Sequence, residues 1–66
     1  MDNDAIAERL RKFRGKKSRA EVAKACGITI SALTMYETGK RIPRDVIKIK
    51  LANYYKRTIQ NIFFKK

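Results

Sequence analysis

The stretch RAEVAKACGITISALTMYET, Arg19 to Thr38, decides the fold of this chain. Ser18-Arg19-Ala20-Glu21 just ahead of it reads as a capping box: the serine hydroxyl accepts from the Glu21 N–H and the glutamate returns to the Ser18 N–H. A helix is predicted from there to about Ala25, with Val22, Ala23 and Cys26 on its inward face. Gly27 stops it, because glycine takes the left-handed conformation without a steric penalty. Thr29 is placed to cap a second helix over Ile30 to Thr38, with Leu33 and Tyr36 facing inward. Gly39 ends that helix.

Two helices joined by a short glycine-containing turn have the layout of a helix-turn-helix, and each constrained position has a steric reason. Ala23 is small where the helices cross, Gly27 opens the turn, Ile28 fills the space beneath it, and Leu33 and Tyr36 hold the second helix on the core. Upstream, Ile6, Leu10 and Phe13 form one stripe of a helix over about Asn3 to Phe13, with Asp2 and Asp4 at its dipole-favoured end. Downstream, Pro43 is placed to open a fourth helix, Asp45 sits in its first turn, and Val46 to Tyr55 is apolar on one side with Lys48 and Lys50 outside it. The alternation Ile47-Lys48-Ile49-Lys50-Leu51 also suits a strand. Helix is the reading adopted, since the run continues through Tyr55 without a turn signal and has no partner strand. Thr58 caps a short last helix, Ile59 to about Phe64, whose Ile62 and Phe63 return to the core. The expectation is one all-α domain over residues 1–66, a five-helix bundle.

Composition narrows the partner. The net charge is +11, from 17 Lys or Arg against 6 Asp or Glu, which favours a polyanion. Seven cations, Arg9, Arg11, Lys12, Arg14, Lys16, Lys17 and Arg19, fall within eleven residues without an acid among them. Lys40, Arg41 and Arg44 form a second group. A single-strand RNA reader would interleave aromatics with the basic residues of its binding face, whereas Phe13 and Tyr36 lie on inward stripes. A membrane-surface peptide needs an exposed apolar face, and these stripes are needed for the core. No apolar run approaches the ~20 residues of a membrane span. MDNDAIAERL lacks the order of a signal peptide, so a cytoplasmic protein is expected. One cysteine and no histidine leave no disulfide, zinc site or cofactor to expect, and Cys26 reads as a small core residue. Without histidine or a Gly-rich phosphate loop, and with scattered acids, no enzyme is expected.

The runs Ser18-Arg19-Ala20-Glu21-Val22-Ala23, Gly27-Ile28-Thr29 and Tyr36-Glu37-Thr38-Gly39-Lys40-Arg41-Ile42-Pro43 resemble the Cro and phage-repressor type of helix-turn-helix, the xenobiotic-response-element family. The likeness extends to Ile6-Ala7-Glu8-Arg9-Leu10 and to Thr58-Ile59-Gln60-Asn61-Ile62-Phe63. It implies a lambda-repressor-like five-helix domain, a regulator, usually a repressor, that binds a palindromic double-stranded DNA operator as a homodimer. The 66 residues hold no effector domain, which favours repression by occupancy. A module that binds protein first, such as an antitoxin subunit, and a basic RNA-binding module are the alternatives.

The resemblance and the helix geometry together assign base reading to Ile30, Ser31, Thr34, Met35 and Thr38. None is Arg, Asn or Gln, the residues that make bidentate contacts to purines. Ser31 and Thr34 can hydrogen-bond to several bases, with plain solvated helix surface as their alternative; Ile30 and Met35 can touch thymine methyl groups, with packing against a dimer partner or a neighbouring helix as theirs. Phosphate binding is assigned to Arg14, Lys16, Lys17, Arg19, Thr29, Lys40, Arg41 and Arg44. Arg9 and Lys24 are expected to be solvated. The resemblance also implies a buried ion pair between Arg14 and Glu37; an exposed Glu37 is the alternative. It further places Arg19 where many relatives carry a phosphate-binding Gln, and the Gly15-Lys16-Lys17 connection is shorter than the common pattern. One of Phe63 and Phe64, with Tyr55 or Ile59, is a candidate dimer contact.

Overall fold

Local capping chemistry sets the helix boundaries in a computed structural model of the chain, which describes residues 3–64. Five helices follow one another among those residues: α1 (Asn3–Arg14), α2 (Arg19–Cys26), α3 (Ile30–Glu37), α4 (Asp45–Tyr55) and α5 (Gln60–Phe64), the last a wide π-type turn. The fold is all-α among the described residues. Asp2, expected beside Asp4 at the start of α1, lies outside the described residues.

The Ser18 Oγ accepts from the Glu21 N–H at 3.1 Å and starts α2. The Thr29 Oγ1 accepts from the Ala32 N–H at 3.0 Å and starts α3. Both caps satisfy backbone donors that a helix start leaves orphaned. Gly27 adopts φ 68° after α2, and the Ile28 N–H then reaches the Ala23 carbonyl at 2.9 Å. Gly39 adopts φ 76° after α3, and the Lys40 N–H reaches the Met35 carbonyl at 3.0 Å. These are the closing bonds of Schellman turns. Gly39 has a second constraint, since a Cβ there would lie 2.8 Å from the Asp4 carboxylate of α1. α3 ends one residue earlier than expected, because Thr38 leaves helical geometry as the C-cap.

Ile6 and Leu10 of α1, Val22, Ala23 and Cys26 of α2, Leu33 and Tyr36 of α3, Leu51 and Ala52 of α4, and Ile62 and Phe63 of α5 make one core. Phe13 and Ile28 pack at its margin. α2 lies against both α3 and α4, while α1 lies against α3 and α5. Burial pushes the Cys26 thiol up from its ordinary range, more strongly than the Lys50 charge lowers it, so it stays protonated at neutral pH.

The α4 region departs from expectation. Pro43 does not open the helix: it is buried in an extended segment, Arg44 is the N-cap with φ −67° and ψ 162°, and Asp45 is the first helical residue. Lys48, expected outside, is buried. Its Nζ lies 5.6 Å from the Phe63 ring centre and 5.1 Å from that of Phe64, and 3.8 Å from the Asp45 carboxylate. The aliphatic stem covers apolar surface while the charge meets two ring faces and an exposed acid. The face of α4 opposite the core carries Val46 and Ile49 into solvent. Phe64 is exposed, whereas Tyr55 and Ile59 pack against the core, so of the expected dimer contacts only Phe64 remains open.

Candidate nucleic-acid interface

The core holds α3 by Leu33, Tyr36 and Glu37, and a helix so anchored turns its other positions outward. Ile30, Ser31, Met35 and Thr38 are exposed and Thr34 is half-buried, so all five expected readers share the outer face. Two of their hydroxyls are already in use. The Thr34 Oγ1 donates to the Ile30 carbonyl at 2.9 Å, and the Thr38 Oγ1 donates to the Thr34 carbonyl at 2.8 Å.

Glu37 is fully buried and organises one flank of this face. The Arg14 Nε donates to its Oε2 at 2.8 Å and to its Oε1 at 3.1 Å. The Arg19 Nε donates to its Oε1 at 2.9 Å. Arg11 donates through Nη1 to the Glu37 backbone carbonyl. A buried carboxylate needs such partners, since leaving it bare costs several kcal/mol, of order 3–5. The pair expected between Arg14 and Glu37 is present, and the exposed alternative for Glu37 is excluded. The participation of Arg19 was not expected: it joins α2 to the end of α3 as well as carrying charge to the surface. Its Nε is occupied, and among the described residues no other hydrogen bond holds the rest of its guanidinium, which remains available to an anion. Arg14 also donates through Nη1 to the Lys17 carbonyl at 2.7 Å, which bridges the shortened Gly15-Lys16-Lys17 connection.

The remaining cations are arranged on both sides of α3. Lys16 and Lys17 are exposed beyond Arg14, and the Lys17 Nζ rests 4.8 Å from the Tyr54 ring centre. On the opposite flank, Arg41 and Arg44 line a shallow groove with Ile28, Ala32 and Tyr36. Lys40 is exposed at the end of α3, next to Gly39. Thr29 is exposed at the start of α3, and its oxygen, used as a cap acceptor, leaves the hydroxyl proton free to donate. Arg9, expected to be solvated, instead donates through Nη1 to the Ile62 carbonyl at 2.8 Å and ties α1 to α5. Lys24 is exposed, as expected.

Arg11 and the orientation of the Thr34 hydroxyl were missed by sequence reasoning. Arg11 stood in the basic cluster without a distinguishing mark. The Thr34 bond had a local signal, because helical threonines commonly donate to the carbonyl four residues back. Tyr55 is a further buried group near the hub: its hydroxyl has no partner among the described residues, and burial, reinforced by the Glu37 carboxylate, pushes its ionisation well above the ordinary phenol range.

A surface helix carrying an open outer face between two basic flanks is built to enter a groove of an anionic duplex. The profile of the Helix-turn-helix family matches residues 8–62, most of the chain. The chain belongs to the Cro and repressor type of helix-turn-helix proteins. A search of curated proteins found no match. The family is one of DNA-binding regulators, so the chain is a DNA-binding helix-turn-helix regulator. Among the described residues no helix is long and apolar enough to cross a membrane, and no group of His, Cys, Asp or Glu is placed to hold a metal.

Proposed function

We propose that this chain is a single-domain cytoplasmic repressor that occupies a palindromic operator in double-stranded DNA as a homodimer, without catalytic activity. The observation that carries the reading is the outer face of α3, open between the Glu37-anchored arginines and the Arg41–Arg44 groove. Ile30, Ser31, Thr34, Met35 and Thr38 contact base edges in the major groove. Arg14, Lys16, Lys17 and Arg19 take phosphates on one side, and Thr29, Lys40, Arg41 and Arg44 take them on the other. Glu37 positions two of these guanidinium groups before DNA arrives, which lowers the ordering cost of binding. Occupying a promoter is sufficient to exclude polymerase.

One α3 reads one half-site, and two half-sites lie ~34 Å apart on one face of the duplex. A second copy therefore completes the operator contact. Val46 and Ile49 on the outer face of α4, with Phe64 at the end of α5, are large apolar groups left in solvent at 63%, 47% and 53% exposure. These are the groups through which we place the homodimer contact.

The test is a titration with duplex DNA and with single-stranded RNA at two salt concentrations. The expected result is preference for the duplex and an affinity that falls steeply with salt, because each neutralised phosphate contributes ~0.9 to the log–log slope. Preference for RNA, or a flat salt response, contradicts the reading. Ile49→Asp tests the dimer: analytical ultracentrifugation should show a monomer, with weakened duplex binding.

A further inference from the structure

A threonine hydroxyl has one proton to give. In α3 the Thr34 proton goes to the Ile30 carbonyl at 2.9 Å, and the Thr38 proton goes to the Thr34 carbonyl at 2.8 Å, with the Met35 carbonyl at 3.4 Å. Both oxygens are drawn back against the preceding turn of backbone. With no proton left to donate, these side chains offer the outer face their methyl groups and only the residual acceptor capacity of their oxygens. Ile30, 52% exposed, and Met35, 41% exposed, lie on either side of Thr34 along the same face. Ser31 alone among the five keeps a hydroxyl with no partner among the described residues. A serine hydroxyl can donate or accept, so it tolerates either the thymine O4 acceptor or the cytosine N4 donor.

We infer that α3 recognises the C5-methyl group of pyrimidines, and that it treats 5-methylcytosine as equivalent to thymine. The inference deepens the duplex-reading proposal above and rests on it. In the major groove a thymine differs from a cytosine by two features, the methyl and the exchange of O4 for N4–H₂. A face that offers mainly apolar atoms, with the Ser31 hydroxyl, unpartnered among the described residues, able to donate or accept, detects the first feature and commits no donor to the second. Methylation of cytosine at C5 then creates binding sites for this protein instead of blocking them.

The experiment begins with duplexes selected from a random pool. At each thymine of the enriched site four pairs are compared: T·A, U·A, 5-methyl-C·G and C·G. Removal of one buried methyl should weaken binding about fourfold. The expected result is that step at one or more positions, of similar size from T to U and from 5-methyl-C to C. Equal affinity for T and U at every position overturns the inference and leaves duplex reading intact. Failure to enrich any duplex overturns the duplex reading itself, and the inference with it. Two variants provide a separate check. Thr34→Val keeps a methyl and loses the hydroxyl, and should retain the site preference. Thr34→Ser keeps the hydroxyl and loses the methyl, and should abolish the methyl step at one position. The reverse ranking of these variants overturns the inference.

Discussion

The helix pair α2–α3 and the helix pair α4–α5 close by different means. α2 and α3 each start on a hydroxyl cap, at Ser18 and Thr29, and each end on a left-handed glycine, at Gly27 and Gly39. α4 starts at Arg44 with no side-chain cap and ends on Lys56, a non-glycine residue at φ 56°. The first pair buries a carboxylate and surrounds it with arginines; the second buries a lysine against phenylalanine rings. The boundaries of the first pair are thus set by residues at its own helix ends. The second lacks those local signals, and it leaves Val46 and Ile49 exposed. The helices proposed to carry the binding chemistry are bounded by redundant local rules, while those that support them tolerate exceptions.

The largest effect is expected inside the first pair. Leu33→Ala empties a fully buried position beneath the outer face of α3 and should cost about 2–5 kcal/mol in urea unfolding. A domain of this size rarely has more than about 3–5 kcal/mol to lose, so the variant should be largely unfolded at 37 °C.

The next test makes the same change, cation to methionine, in α1 against the first pair and within the second. Arg14→Met leaves the fully buried Glu37 with Arg19 as its remaining salt-bridge partner and should cost about 3 kcal/mol. Lys48→Met, by contrast, replaces a buried cation whose only carboxylate contact among the described residues, to the exposed Asp45, is 3.8 Å long. Its stability should stay within about 1 kcal/mol of the parent, since an apolar side chain of similar shape suits the Phe63 and Phe64 rings. Equal losses from the two substitutions would erase the distinction between the pairs.

That contrast also separates what was legible beforehand from what was not. Ser18, Gly27, Thr29 and Gly39 act on neighbours a few residues away, so the boundaries of α2 and α3 could be read from their order. The outer face of α3 followed once Leu33 and Tyr36 were assigned inward. Lys48 was misplaced because its burial depends on Phe63 and Phe64, fifteen and sixteen residues later, and no pattern within α4 reports them. Pro43 was misplaced because tertiary burial keeps it in the extended segment ahead of the cap. The Arg19–Glu37 contact joins residues eighteen apart whose only sequence signal is opposite charge, a signal shared by many pairs in so basic a chain.

The smallest effect is expected at the end of α4. Lys56→Gly removes the steric penalty of a left-handed side-chain residue and should raise stability by about 0.5–1 kcal/mol after the entropic cost of glycine is counted. Thermal unfolding of the two chains measures it. A loss of stability would mean that the Lys56 side chain holds the turn, and the second pair would then be less permissive than described.

The central claim is that the outer face of α3 reads sequence while the flanking cations supply affinity. It is tested most directly by selecting bound sequences from random duplex DNA with the parent chain and with Ile30→Ala combined with Met35→Ala. Both side chains are exposed, so folding should be preserved. The account predicts a symmetric enriched site for the parent, and for the variant a flattened preference with an unchanged salt dependence of binding. Enrichment of the same site by both proteins would contradict it.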